Sequence, residues 1–296
     1  MTTPPLRFGL VGTGYWARIT HAPALASTDG IEFAAVWGRN ADAAADLAAR
    51  HDVTAYRDLP EFLAGVDAVA FAVPPDVQAP IAIRAARAGK HLLLEKPAAL
   101  AVADADALAD AVEQARVASV VFFTARFQAD VRAWEAEVTA AGGWDGGCAV
   151  WLGSALQPDS PFNTPWRREH GALWDLGPHV VSLLWASLGP VRSVTAQAGL
   201  ADVTHLIFRH EGGATSAATV TLSAPESAAL TDLFVWGQAG RTSAPAQAAD
   251  PVIPLRTALA ELAASVRSGQ VSHPCDARFG RDVVHILADA QYQISG

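Results

Sequence analysis

The chain has 296 residues, with 21 Lys and Arg against 30 Asp and Glu, and a net charge of −9. Its apolar fraction of 51 % excludes wholesale disorder, and an acidic chain without a basic run is a poor nucleic-acid binder. The longest apolar runs are too short to cross a bilayer, and Met1–Pro5 does not have the pattern of a secretory signal. Two cysteines, Cys148 and Cys275, can form neither a disulfide framework nor a four-ligand zinc site. We therefore expect a soluble cytoplasmic protein that binds a small molecule, with no nucleic acid, membrane or metal.

The first 123 residues alternate short apolar runs with alanine-rich stretches of helical spacing. The apolar runs predict strands at Leu6–Val11, Ile31–Trp37, Asp67–Val73, His91–Leu94 and Ser119–Phe123. The stretches between them predict helices at Tyr15–Ser27, Ala41–Arg50, Asp76–Ala88 and Asp104–Arg116. Strand–helix–strand repetition of this kind predicts a doubly wound parallel sheet, which forms a first domain over residues 1–123.

The regular alternation of strands and helices ends after Phe123, and we predict a second α/β domain over residues 124–296. The pattern predicts, in order, a helix at Phe127–Ala141, a turn at Gly142–Gly147, a strand at Cys148–Leu152, an irregular stretch at Gln157–Glu169 and a helix at Leu173–Leu188. Four alternating runs then predict a mostly antiparallel sheet: Val191–Gln197, Thr204–Arg209, Thr215–Leu222 and Leu233–Gly237. A loop at Ala239–Asp250 and helices at Leu255–Arg267 and Ala277–Gln291 follow.

A glycine motif lies where the first strand turns into the first helix. It consists of Gly12, Thr13, Gly14, Tyr15, Trp16 and Ala17, in the pattern G-x-G-x-x-A. The first glycine permits a tight turn, the second lets a pyrophosphate approach the backbone, and the alanine lets helix and strand pack closely. The free N–H groups of the helix N-terminus favour the phosphates. We predict that these six residues bind a dinucleotide; a glycine-rich turn without a ligand is the alternative.

The end of the second predicted strand bears on the choice of cofactor. A site that prefers NAD usually has Asp or Glu there, which accepts a hydrogen bond from the ribose 2′-hydroxyl. This chain has Gly38 followed by Arg39. Without a carboxylate the 2′-phosphate is tolerated, and a guanidinium attracts it. We therefore predict NADP, with NAD as the second choice; the alternative is that Arg39 is merely solvated.

Lysine is scarce, since only Lys90 and Lys96 occur among the 21 cations. Lys96 follows a predicted buried strand in the sequence Glu95-Lys96-Pro97, and ligands of doubly wound folds bind outside the carboxyl ends of the strands. Unlike arginine, lysine can give up a proton, and the proline could hold a cis bond that aims it. A lysine at a strand end is by itself more often only solvated.

Asp175 and His179 are four residues apart, so in one continuous helix they would share a face. A carboxylate can orient a histidine, which titrates in the range that acid–base catalysis needs. Pro178 could instead begin a new helix and change this geometry.

Together, the motifs at Gly12–Ala17, Ala88–Pro97 and Gly171–His179 resemble those of the Gfo/Idh/MocA oxidoreductases, and the resemblance extends over nearly the whole chain. It implies a Rossmann domain, then an α/β domain with a large open sheet that forms a homodimer or homotetramer. It also implies hydride transfer between a nicotinamide and a hydroxyl-bearing carbon of a sugar, polyol or related compound. By position, Lys96 would contact cofactor and substrate, His179 would be the acid–base, and Asp175 would bind and orient.

The resemblance adds further candidates and some departures. Cofactor contacts are expected from Pro74, Gln78 and Glu95, and substrate contacts from Trp166 and Arg167 besides Asp175 and His179. The departures are Gln78 in place of a frequent histidine, Thr124 in place of asparagine and Ser182 in place of aspartate. Two other functions remain open at this point: a regulator that senses a nucleotide or sugar without turnover, and a glycosidase that uses bound nicotinamide for a transient oxidation.

Overall fold

The computed structural model describes residues 4–246 and 250–295, which form two compact units. Among these residues, the first unit comprises residues 4–127 and 250–281, and the second comprises residues 128–246 and 282–295. Residues 250–281 thus belong to the first unit, whereas the predicted division assigned everything after residue 123 to the second domain.

The first unit contains a six-stranded parallel sheet in the order β3-β2-β1-β4-β5-β6. Its strands are β1 (Leu6–Val11), β2 (Ile31–Trp37), β3 (Thr54–Tyr56), β4 (Ala68–Phe71), β5 (His91–Glu95) and β6 (Ser119–Phe122). Strands β4, β5 and β6 are almost wholly buried, as their continuous apolar runs predict. The doubly wound fold is confirmed. Strand β3 was not predicted because it is three residues long and lies at the partly exposed edge.

Helices cover both faces of a doubly wound sheet, and here they follow the strands in turn. They are α1 (Ala22–Ser27), α2 (Ala41–Arg50), α3 (Leu59–Ala64), α4 (Pro75–Arg87) and α5 (Val102–Ala115). A π-helical segment, Ala17–His21, precedes α1, and a 3₁₀ turn, Thr124–Phe127, follows β6. Side chains cap the N-termini of two helices: Asn40 accepts hydrogen bonds from two backbone N–H groups of α2, and Asp58 accepts one from α3.

The second unit contains a mixed sheet in the order β12-β11-β7-β10-β9-β8, antiparallel except where β7 and β10 pair. Its strands are β7 (Trp144–Leu152), β8 (Val191–Ala198), β9 (Thr204–His210), β10 (Thr215–Thr221), β11 (Leu230–Gly237) and β12 (Gly240–Ser243). The mostly antiparallel open sheet is confirmed.

Gly142 and Gly143 lie outside any strand, with φ +58° and +68°, as a turn there predicts, but the rest of the cluster, Trp144–Gly147, belongs to β7, so the predicted turn is too long. A Cβ on Gly146 would overlap the indole of Trp236, and one on Gly147 would lie 3.1 Å from Leu188 Cδ1. These glycines therefore allow close packing on both faces of β7, rather than a change of chain direction.

The helices of the second unit are α6 (Ala129–Ala141), α7 (Pro165–Asp175) and α8 (Gly177–Leu188), and α7 and α8 pack against β7 and β10. The single helix predicted at Leu173–Leu188 is therefore two helices, and the first begins inside the stretch predicted to be irregular. Gly171 at φ +65° kinks α7.

Two helices end the chain, α9 (Val252–Ser268) and α10 (Ala277–Ile294). Helix α9 packs on α1, β5 and β6, which explains why this segment belongs to the first unit. In the part of the chain that the structure describes, no helix combines the length and the apolar character needed to span a bilayer.

Candidate active site

The glycine motif forms an open cradle after β1. Gly12 has φ +130° and donates its N–H to Trp37 O at 3.0 Å, and a Cβ there would overlap the carbonyl of Ala72. A Cβ on Gly14 would meet nothing within 4 Å, so a ligand can approach the backbone there. Ala17 is fully buried, as close packing of helix on strand requires. Helical backbone begins at Tyr15, directly after the cradle.

The end of β2 has no room for a carboxylate. A Cβ on Gly38 would lie 2.8 Å from Thr13 Cγ2, closer than real side chains approach each other. Arg39 is exposed and, among residues 4–246 and 250–295, forms no ion pair.

A second arginine, Arg57, was not predicted from the sequence and lies near Arg39, just beyond the carboxyl end of β3. In the parallel pairing of β2 and β3, Trp37 lies opposite Tyr56, so Gly38 and Arg57 are the next residues beyond the strands. The Trp37 indole donates to Arg57 O at 3.3 Å, which holds the backbone there. Arg57 is exposed and has no ion pair within the described ranges. No sequence signal indicated Arg57, because the short strand β3 was itself not predicted.

The turn after β5 carries Lys96, which is half-buried, and the Lys96–Pro97 peptide bond is cis. The amide of Gln78 holds this turn from behind. Its Oε1 accepts from Glu95 N and its Nε2 donates to Glu95 O, both at 2.8 Å, with Pro97 O and Ala98 O at 3.3 and 3.2 Å. Gln78, which was predicted to contact the cofactor, is fully buried, and its amide supports the backbone of this turn.

The carboxylate of Glu95 is held by the helical turns that precede α1. The Trp16 indole Nε1 donates to Glu95 Oε1 at 2.6 Å, and His21 Nε2 donates to the same oxygen at 2.8 Å. The backbone N–H of Lys96 donates to Glu95 Oε2 at 3.3 Å. The role of His21 could not be predicted from local sequence patterns, because 74 residues separate it from Glu95. Pro74, another predicted cofactor contact, precedes α4 at the same edge of the sheet.

The second unit holds Asp175 and His179 on consecutive helices. Asp175 is the last residue of α7, and Pro178 lies in the first turn of α8, so the alternative with a new helix is correct. Arg167 Nε donates to Asp175 Oδ2 at 2.8 Å, and Asp175 is only 5 % exposed. A buried carboxylate needs such a cation to offset its desolvation.

Aromatic rings support both Arg167 and His179. The guanidinium carbon of Arg167 lies 4.9 Å from the ring centroid of Trp166 and 5.4 Å from that of Phe162. The His179 ring stacks on Trp151 with centroids 5.1 Å apart. Ser182, one of the departures from the family pattern, donates its hydroxyl to His179 O at 2.8 Å. Among the described residues, no group of three or more His, Cys, Asp or Glu could hold a metal ion.

Two family models match the chain, one in each half. Residues 6–123 match the oxidoreductase family with an NAD-binding Rossmann fold, and residues 105–243 match the GFO/IDH/MocA C-terminal domain. The chain belongs to the Gfo/Idh/MocA oxidoreductase family. This membership confirms the resemblance inferred from the glycine, Glu-Lys-Pro and Asp-x-Gly-x-His motifs.

Individual relatives agree with the family. An uncharacterized oxidoreductase of Synechocystis is 33 % identical over 210 residues, which cover 67 % of this chain and 56 % of the relative. The UDP-N-acetylglucosamine 3-dehydrogenase of Acidithiobacillus ferrooxidans is 37 % identical over 103 residues, covering 35 % of this chain and 32 % of the relative. These matches thus span about half or less of the length of the curated relatives.

A solved structure matches over the full chain. GenD2 of gentamicin A biosynthesis, in complex with NAD, superposes with a TM-score of 0.85 at 22 % identity, covering 100 % of this chain and 95 % of GenD2. At this identity the match supports the fold, which is shared over both units.

Proposed function

We propose that this protein is an NADP(H)-linked oxidoreductase that moves hydride between the nicotinamide and a secondary alcohol or carbonyl carbon of a sugar, polyol or related small molecule. One observation carries the proposal. The Glu95-Lys96-Pro97 turn, which hydrogen bonds hold in place, and the open glycine cradle both follow the carboxyl ends of strands in the same parallel sheet. Family membership supports the same class of reaction.

The residues of the cradle fit a dinucleotide. The open space at Gly14 and the helix start at Tyr15 suit a pyrophosphate. The close approach of Thr13 to Gly38 disfavours a carboxylate at the ribose. Arg39 and Arg57, which form no ion pair with any residue that the structure describes, supply positive charge. These residues favour NADP for this chain. The NAD bound to GenD2 does not decide the choice here, because cofactor preference depends on the residues that each chain places near the ribose.

The chemistry follows from what each side chain can exchange. When bound, the nicotinamide supplies the hydride acceptor or donor. In the oxidation direction, His179 takes the hydroxyl proton and Lys96 stabilises the negative charge that develops on the alkoxide oxygen. Asp175, which Arg167 holds in place, binds a substrate hydroxyl and keeps the substrate and the His179 imidazole correctly oriented.

The substrate class rests on the side chains of α7. Trp166 offers an aromatic face of the kind on which the C–H side of a sugar packs, and Arg167 offers donors for hydroxyl or acidic groups. The name of the Acidithiobacillus relative, a UDP-N-acetylglucosamine 3-dehydrogenase, fits a sugar substrate.

We also propose a cytoplasmic homodimer or homotetramer that associates through the second sheet. Its outer surface carries exposed apolar side chains, with Ile207 57 % and Trp236 41 % exposed. Both side chains lie on strands of the open sheet, and exposed apolar surface is typical of protein interfaces.

The test is a fluorescence titration with NADPH and NADH, followed by a dehydrogenase screen of polyols and aldoses with the tighter cofactor. We expect tighter NADPH binding and turnover that Lys96→Met and His179→Ala each abolish. Nucleotide binding without turnover over a broad panel would favour a sensor, and release of an aglycone without net nicotinamide change would favour a glycosidase. Full turnover in both variants would refute the proposed roles.

A further inference from the structure

His21 is a fully buried polar side chain that the proposed chemistry does not use. Its Nε2 donates to Glu95 Oε1, and its Nδ1 is buried with no hydrogen-bond partner among the described residues. An apolar side chain would fill this position without the cost of an unpaired buried nitrogen. The hydrogen bond to Glu95 is therefore the feature that distinguishes histidine here from simple core packing.

The π-helical segment brings Trp16 and His21 to the same oxygen atom. In a regular α-helix each residue turns about 100°, so side chains five apart point about 140° away from each other. Here Ala22 N–H bonds to Ala17 O, five residues back, which widens the turn. Both donors consequently reach Glu95 Oε1, at 2.6 and 2.8 Å.

We propose that His21 and Trp16 are positioning residues, which fix the Glu95 carboxylate and through it the backbone and side chain of Lys96. The link is short: Glu95 Oε2 accepts the backbone N–H of Lys96, and the Glu95 side chain is only 12 % exposed. The role of Lys96 rests on the proposed function, but its placement by His21 does not. Trp16 also lies in the glycine motif, so one carboxylate ties the nucleotide cradle to the turn that carries Lys96.

The scarcity of lysine provides a direct readout. Reductive methylation with ¹³C-formaldehyde labels the lysines, which are two in number, and the N-terminal amine. Lys90→Arg assigns the two lysine signals. Lys90 then serves as an internal reference, because it lies at the opposite end of β5 from Lys96, where its Nζ donates to Val66 O. The variants are His21→Met, which removes the donor at similar volume, and His21→Gln, which retains an N–H donor.

We expect His21→Met to displace the Lys96 signal by more than its line width while the Lys90 signal stays, and His21→Gln to restore it. Trp16→Phe, which removes the other donor, should displace the Lys96 signal in the same way. NADPH affinity of His21→Met should stay within about threefold of wild type, because the glycine cradle is intact, whereas any turnover should fall about tenfold or more in kcat.

The outcomes separate the two proposals. If wild type binds no nicotinamide nucleotide, the proposed function fails, whatever the Lys96 signal does. If the Lys96 signal is unchanged in a folded His21→Met, with its melting curve as the check, the positioning role is wrong. Equal displacement in His21→Met and His21→Gln would also refute it, because it would show an effect of volume or shape and not of the donor.

Discussion

The proposed preference for NADP should be reversible by making room for a carboxylate at the end of β2. Gly38→Asp alone is strained, because its Cβ would lie 2.8 Å from Thr13 Cγ2. Thr13→Ser removes that methyl group and keeps the hydroxyl. We therefore expect the double variant Thr13→Ser/Gly38→Asp to fold and to prefer NADH.

The magnitude follows from two contributions. A hydrogen bond from the ribose 2′-hydroxyl to the new carboxylate contributes about 1.5 kcal/mol to NADH binding. Repulsion between that carboxylate and the 2′-phosphate, at a solvent-exposed site, costs NADPH at least about 1 kcal/mol. Together they come to at least about 2.5 kcal/mol, which corresponds to a change of roughly 60-fold or more in the ratio of the two dissociation constants.

Fluorescence titration of wild type, Thr13→Ser, Gly38→Asp and the double variant measures this ratio. Thr13→Ser alone should keep the wild-type preference, and Arg39→Met and Arg57→Met should each weaken NADPH binding several-fold without affecting NADH. Two results would refute the reasoning: a double variant with the wild-type ratio, or a wild type that binds NADH tenfold tighter than NADPH.

Three further predictions concern stability and assembly. Arg167→Met removes the cation that pairs with the buried Asp175 carboxylate and should cost about 3 kcal/mol in urea unfolding, of which Asp175→Asn in the same chain should restore more than half; no recovery would contradict the pairing. Burial lowers the pKa of His91 and His210, so the unfolded chain binds protons more readily and the free energy of unfolding should fall as pH drops below about 6.5; His210→Gln should flatten part of that slope. Ile207→Asp should shift the mass measured by light scattering towards the monomer, and an unchanged mass would count against an interface on the second sheet.

Local signals predicted the features that lie close together in sequence. The strand Leu6–Val11, the turn at Gly12 and the helix after it lie within the first 27 residues, so turn chemistry and apolar periodicity were sufficient. The position of Lys96 at a strand end followed in the same way. The second-domain sheet was predicted from the alternation in strands such as β9, whose residues are buried and exposed in turn.

Long-range pairings were not predictable from those signals. The contact of His21 with Glu95 joins residues 74 positions apart, and the stack of Trp151 on His179 joins a strand to a helix. Neither leaves a periodic trace in the sequence, because each depends on how two elements pack. The turn predicted over the glycines of β7 was wrong for a related reason. Glycine occurs both in turns and at sites of close packing, and only the position of Trp236 shows that close packing applies here.

Gln78, a departure from the family pattern, has a structural explanation in the geometry of an amide. A primary amide can accept and donate at once, and Gln78 uses both functions on the N–H and C=O of Glu95, as a neighbouring strand would. The side chain therefore continues the hydrogen bonding of the sheet to the last residue of β5, and Lys96 becomes the first residue beyond it. A neutral histidine has one donor and one acceptor on opposite sides of its ring, so it cannot pair with both groups of one residue. Gln78→His should accordingly loosen the Lys96 turn rather than improve cofactor binding.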